Sequence, residues 1–395
     1  MKAARFHGTG DIRIEDIPRP EPADHEVLIE IEWCGICGTD LHEYILGPLV
    51  VPPKERPHPI TGEHLPIVLG HEFTGRIVKA ASGSDLKVGE AVMVDPRINC
   101  QSCYPCSKEL EHLCDKWGFV GLSGHGGGFS EFVAVDAKMC YRIPDTVKNL
   151  DEVALIEPLC VGRHALPASG IDDFSGLTVL VVGGGPIGLS VLWNVRAVGV
   201  KYVIVSEPTM VRQQHTGALA DKVISPLNVN IGDECRKLTD GVGVDLVFDC
   251  AGFPAGLDAG MDALKSRGTY VNVAGWEKPM IIPQHYAMMK ELSIKFSMAY
   301  DNQDFRAVVD DFIAGRFHGV EKMITSRILL QDLPKQGFEE LINNKDHHVK
   351  IVVTPNAKNL RQVTRHGAAE VVLEKRLPSE EEVPSRSTSD RTRRF

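Results

Sequence analysis

The sequence predicts an α/β protein of two domains, one rich in β-strands and one doubly wound around a parallel sheet. Three observations predict it. At 395 residues the chain is long enough for two ordinary domains. Near the amino terminus Ile12 and Ile14, then Val27, Ile29 and Ile31, recur at every second position, the period of half-buried strands. From Thr178 onward, apolar β-branched runs alternate with helical stretches, and the first run enters Gly183-Gly184-Gly185-Pro186-Ile187-Gly188.

Composition narrows the function classes. Hydrophobic residues make up 43% and charged residues 24%, as in a globular protein. The net charge is −10 and the pI about 5.8, which argues against nucleic acid as a partner because phosphate binding needs a basic footprint. No apolar run is long enough to span a bilayer. Met1–Gly10 lacks the apolar core of a secretion signal. The expectation is a soluble cytoplasmic protein with reduced thiols, so that ten cysteines point to metal ligands more than to disulfides.

The first strands are joined through Pro18, Pro20 and Pro22. Then comes Gly35-Ile36-Cys37-Gly38-Thr39-Asp40-Leu41-His42, which sets a thiolate, a hydroxyl, a carboxylate and an imidazole within six residues. Thr39 or Asp40 is expected to cap a short helix through Leu46. Thr39 and His42 then stand one turn apart on one face. Cys34-x-x-Cys37 also spells a redox pair or a zinc knuckle, and the stretch alone leaves these open. The Pro-rich loop Gly47–Pro66 is long for a compact domain and can form a lip over a site. Beyond it, Gly70-His71-Glu72 can offer an imidazole and a carboxylate to one metal, or form a capped turn with a surface histidine. His58, His64, His125 and His164 have no such setting and read as ordinary surface or core residues.

Cys100-x2-Cys103-x2-Cys106-x7-Cys114 is the strongest local signal. Four thiolates at short spacing can close a tetrahedral cage around zinc with no position left for chemistry. Iron–sulfur clusters also use tight cysteine runs, but this spacing suits zinc better. Further on, Glu157 lies inside the apolar run Ala154–Leu159. A carboxylate there is costly unless it is paired, bound to metal, or turned to solvent at a helix end.

In the second domain, Thr178–Val182 reads as a buried parallel strand. Gly183 makes the tight turn after it, Gly185 lets a pyrophosphate approach the backbone, and Gly188 allows close packing, with Pro186 and Ile187 completing the loop. The helix through Val198 then offers its amino terminus to the diphosphate. The next strand, Tyr202–Ser206, ends in Glu207, where an acid accepts from the ribose hydroxyls of NAD and repels the 2′-phosphate of NADP. Arg212 lies close by. Further strands are expected at Lys222–Ile224, Val244–Asp249, Gly268–Val273 and Leu292–Phe296, a helix at Asp304–Ala314, and a last strand at Val349–Val353 returning to the first domain. The expected boundaries are 1–164 for the β-rich domain with both metal sites, 165–300 for the nucleotide domain, 301–354 for the return and 355–395 for a polar, disordered tail. A short helix is conceivable within the tail at Ala368–Leu377.

Taken in order, Gly35–Asp40, Gly70-His71-Glu72, the four-cysteine lobe, Glu157-Pro158-Leu159 and the glycine fingerprint make the chain resemble the zinc-containing medium-chain alcohol dehydrogenases over residues 1–354. Within that family it is most similar to the (R,R)-2,3-butanediol dehydrogenases. That closer likeness rests on Gly47-Pro48, Pro59-Ile60-Thr61-Gly62, Leu65-Pro66, Gly121-Leu122-Ser123-Gly124 and Phe338–Asp346. The resemblance implies a GroES-like catalytic domain split around a Rossmann domain, two zinc ions per chain, NAD as cofactor and a homodimer or homotetramer. It implies that Cys37 and His71 bind a catalytic zinc, that Glu72 and Glu157 are direct or water-bridged ligands, and that Asp40 orients His71. The proton would leave through Thr39, the ribose and His42. The implied reaction is hydride transfer between NAD and a small vicinal diol or acyloin, 2,3-butanediol and acetoin. A sorbitol- or xylitol-type polyol dehydrogenase is the alternative, and a non-catalytic NAD-binding structural protein ranks below it. Two stretches depart from this branch. Arg163 replaces a Trp, a change expected to alter substrate fit. Lys295–Tyr300 replaces a Gly-Ser-Leu-Ala-Tyr run at the nicotinamide end.

Overall fold

The computed structural model describes residues 1–365. The amino-terminal pattern folds as expected: Lys2–Gly8 and Asp11–Asp16 form an antiparallel pair, with the short strand Ile67–Val68 beside the first. Glu26–Gly35 is the central strand of a seven-stranded sheet. Its neighbours include Glu72–Lys79, which carries Glu72 at its first residue, and Lys350–Thr354, the last strand among the described residues. So Gly35 lies opposite Glu72 on one side and Val352 on the other.

The second sheet has six parallel strands in the order Lys222–Ile224, Tyr202–Ser206, Thr178–Val182, Val244–Asp249, Leu264–Asn272 and Ser293–Phe296. The order reverses beside Thr178–Val182, and a crevice opens there at the carboxyl ends of the strands. Helix Ile156–Ala168 packs against helix Pro186–Ala197 and against Asn302–Ile313, so one hydrophobic core runs from the first domain into the second.

Two expectations change. The helix Gly38–Leu46 is capped by Cys37, not by Thr39 or Asp40. Asp40, at the third helical position, accepts instead from the Cys37 N–H at 3.0 Å. A carboxylate at the third helical position can reach back to the amide of the cap residue, while the cap side chain takes the amide of that third residue. The second change concerns the tail: Ala357–Arg365 is helical where disorder was expected. Leu360 packs on the main core, and Asn359 donates to Glu32 O at 3.2 Å, enough to hold two turns. The conceivable helix at Ala368–Leu377 lies outside the described residues.

Gly188 shows how tightly the nucleotide loop is built. A Cβ there would lie 1.9 Å from the Gly183 carbonyl oxygen. Gly188→Ala should therefore lower stability by roughly 1–3 kcal/mol, the usual cost of overpacking. Urea denaturation would measure it, and an unchanged midpoint would mean that the loop can move aside.

Candidate active site

A cleft of about 900 Å³ lies between the two sheets. The first domain contributes Cys37, Thr39, His42, His71 and Glu157, and the second contributes Ile187, Cys250 and the stretch Val273–Glu277. Helix Gly38–Leu46 brings Thr39 and His42 to the same cleft because they are one turn apart. Glu157 sits in the first turn of its helix and is only 4% exposed, so it faces the cleft and not solvent.

Ligand atoms of Cys37, His71 and Glu72 lie within 4.8 Å of one another. His71 Nδ1 faces Asp40 Oδ1 at 3.6 Å and has no hydrogen-bond partner among the described residues. Burial opposes the imidazolium, but Asp40 and Cys37 hold the His71 pKa well above its ordinary value. Burial also pushes the Glu157 carboxyl up to about 7, and Glu72 adds to the shift. A thiolate and carboxylates gathered out of water in this way fit a cation, and the donor set of sulfur, nitrogen and oxygen fits zinc.

The sequence reading missed Lys350. Its ammonium is 2% exposed and lies 2.7 Å from both oxygens of Glu72 and 3.0 Å from Ile36 O. Burial alone would push its pKa down, but Glu72 and then Cys37 hold it above the ordinary lysine value. Glu72 is thus held from behind on both oxygens, whereas Lys350 acts on Glu157 only at longer range. The only sequence signal was a lysine starting an otherwise apolar strand, 278 residues from Glu72.

The four cysteines form a second cluster. Cys103 Sγ lies 3.4 Å from Cys106 Sγ and 3.8 Å from Cys114 Sγ. Tetrahedral zinc–sulfur bonds of about 2.3 Å place sulfurs about 3.8 Å apart, so the cage fits the ion. The amides of Cys100 and Lys116 both donate to Cys114 Sγ at 3.3 Å, as they would to a thiolate.

On the nucleotide side, Gly183 has φ +97°, and a Cβ on Gly185 would meet only Arg212 Nη1, at 3.8 Å. The space over Gly185 is therefore free for a diphosphate at the amino terminus of Pro186–Ala197. Glu207 is 2% exposed, and its carboxylate accepts from Gly184 N at 2.6 Å and Thr209 N at 2.7 Å. Each oxygen keeps a second lone pair for a ribose hydroxyl. Arg212 reaches the carbonyls of Lys345 and His348. Met298 and Ala299 line the cleft, but Arg163 does not: it turns to helix Asn302–Ile313 and pairs with Asp311. A guanidinium against an apolar wall would lack a partner, and Asp311 supplies one, so the change at Arg163 does not reach the cleft directly.

Comparison with known proteins follows the same division of the chain. Residues 23–145 match the family model "Alcohol dehydrogenase GroES-like domain", and residues 186–314 match "Zinc-binding dehydrogenase". An (R,R)-butanediol dehydrogenase of Neisseria gonorrhoeae is 42% identical over 359 residues, covering 90% of this chain and 100% of the relative. One from Saccharomyces cerevisiae is 34% identical, covering 90% and 98%. The crystal structure of 2R,3R-butanediol dehydrogenase from Bacillus subtilis superposes with a TM-score of 0.82 at 36% identity, covering 90% of this chain and 99% of that one. The chain belongs to the zinc-binding medium-chain alcohol dehydrogenase family and is an alcohol dehydrogenase. Within the family, the relatives named here are butanediol dehydrogenases.

The buried Lys350–Glu72 pair carries a stability prediction. Lys350→Met should cost roughly 3–5 kcal/mol, because it leaves a carboxylate buried without its cation. The double change Lys350→Met with Glu72→Leu should cost less than the single one. A lysine whose pKa is raised on folding contributes fully below its unfolded value of about 10.4 and loses that contribution as pH climbs through the folded one. Chemical denaturation of the three proteins at neutral and strongly alkaline pH would check both points. A single variant as stable as wild type would refute the pairing energy.

Proposed function

We propose that the enzyme interconverts a small vicinal diol and its acyloin, 2,3-butanediol and acetoin, using NAD and two zinc ions per chain. The observation that carries the substrate reading is the cleft wall. Its lining includes Val50, Trp117, Phe119, Leu122, Val161 and Met298 together with Thr39 and Glu157. Apolar walls suit the two methyl groups of butanediol. The extra hydroxyls of sorbitol or xylitol would be buried there without partners, each at a cost. The Pro-rich loop supplies Val50 and is fastened by the buried Glu43 carboxylate, which accepts from the amides of Leu49, Val50 and Val51.

Cys37 and His71 would hold the catalytic zinc, with Glu72 and Glu157 as direct or water-bridged ligands, and Cys100, Cys103, Cys106 and Cys114 would hold the structural one. When bound, zinc supplies Lewis acidity to the substrate hydroxyl and NAD supplies the hydride acceptor. Asp40 orients His71 from behind. Thr39 Oγ1, 3.8 Å from Cys37 Sγ, is placed to take the hydrogen bond of the reacting hydroxyl. His42 stands a turn further out, its Nε2 3.6 Å from Glu277 Oε1 at the solvent edge, where a proton can leave. Glu157 is also within reach of the second hydroxyl of a diol. Gly183, Gly185, Pro186, Ile187 and Gly188 would cradle the diphosphate, with Arg212 beside them and Glu207 under the adenosine ribose.

We further propose a cytoplasmic homo-oligomer. Ten unpaired cysteines suit a reducing compartment. Ser293–Phe296 is an open sheet edge, flanked by exposed Ile281, Met289 and Phe296, which a second copy would cover. Light scattering should then show at least a dimer, and a monomer would exclude this.

One set of kcat/KM values tests the rest. (R,R)-2,3-Butanediol with NAD should be best, 2-butanol lower by roughly tenfold or more, and sorbitol and xylitol lower still. Best turnover of sorbitol would reassign the enzyme to polyols, and no turnover of any alcohol would support a structural role. Wild type should prefer NAD to NADP, and Glu207→Ala should shrink that preference. Preference for NADP in wild type would overturn the role of Glu207.

A further inference from the structure

A third group of ligating side chains lies away from both zinc sites. His164 comes from helix Ile156–Ala168, and Asp301 and Asp304 come from the start of Asn302–Ile313. One ligand atom from each falls within 4.8 Å of the other two. His164 Nδ1 and Asp304 Oδ2 are 2.6 Å apart. Asp304 is 8% exposed, so this carboxylate is out of water.

The capping of the helix leaves ligand capacity. Asp301 Oδ1 accepts from the amides of Gln303 and Asp304 at 2.8 Å each, and its Oδ2 is left to another partner. Asp304 Oδ2 takes the Asp301 amide at 3.2 Å, leaving Oδ1. The guanidinium that reaches this helix start does not neutralise the two carboxylates. Arg97 bonds Asn302 Oδ1 and Tyr300 O, but its charge is matched by Asp95, at 2.9 and 2.5 Å.

An independent observation comes from the four-cysteine lobe. His112 is 7% exposed, its ring centroid is 4.8 Å from that of His164, and its Nδ1 has no hydrogen-bond partner among the described residues. A buried imidazole nitrogen without a partner is costly, and a ligand would satisfy it.

We propose that His164, Asp301 and Asp304, with His112 beside them, bind a divalent transition-metal ion such as Zn²⁺ or Co²⁺. Imidazole and carboxylate together are the donor set for such ions. The site joins three parts of the chain: the cysteine lobe, the helix that begins at Glu157, and the first helix after the nucleotide sheet. A bound ion would tie them together.

The test uses full-length enzyme already loaded with two zinc ions per chain, titrated with Zn²⁺ or Co²⁺ by equilibrium dialysis and metal analysis. Wild type should take up a third ion per chain, with a rise in Tm and, for Co²⁺, a new visible absorption band. His164→Gln and Asp301→Asn should each weaken that uptake at least tenfold while both original zinc ions stay. Asparagine caps a helix as well as aspartate does, so Asp301→Asn keeps the fold if His164→Gln does not. His112→Gln should weaken uptake less. Saturation at two ions in wild type would overturn the proposal. A third ion retained in full by Asp301→Asn would also overturn it, since the ion would then sit elsewhere.

Discussion

The active site depends on one buried ion pair. Glu72 and Lys350 come from strands on either side of Glu26–Gly35, and each side chain is 1% exposed. Neither charge could stay in that place alone, since an unpaired buried charge costs several kcal/mol. Together they fix the register of three strands at the point where Cys37 leaves the sheet. They also decide which carboxylate is free. Glu72 is bound on both oxygens from behind, and Glu157 is left facing the cleft.

Around that pair the fold divides labour. The β-rich domain supplies sulfur, imidazole and carboxylate on short, rigid connections. The parallel sheet supplies a glycine turn and a helix amino terminus at its topological switch point. An aromatic wall links the four-cysteine cluster to the cluster around His71. Trp117 N donates to Cys114 O at 3.0 Å, Trp117 packs edge-on to Phe119, and Phe119 packs edge-on to His71. The closed cysteine cage is thereby tied to the shape of the open site.

Local patterns carried much of this. Period-two alternation marked the first strands, and the apolar β-branched runs marked Thr178–Val182, Tyr202–Ser206 and Val244–Asp249 to the residue. Strand ends were less legible where a turn intrudes: Leu264–Asn272 starts four residues before the expected Gly268, through Arg267 at φ +62°. The cap at Cys37 was misread because a serine-like rule was applied where a carboxylate reaches back. Leu360 was too slight an apolar signal to reveal the helix Ala357–Arg365.

What the sequence by itself determined was chemistry within short reach. The spacings of Cys100–Cys114, Gly35–His42, Gly70–Glu72 and Gly183–Gly188 mark candidate sites because those residues share a turn or a loop. Tertiary structure alone decided how distant charges meet. Lys350 reaches Glu72 across 278 residues, and Arg163 finds Asp311 across 148. It also brought His112 and His164 ring to ring, although His164 reads as an ordinary histidine in the chain. The physical reason is that periodicity and capping are local, whereas burying a charge requires a partner that only the packed chain can supply.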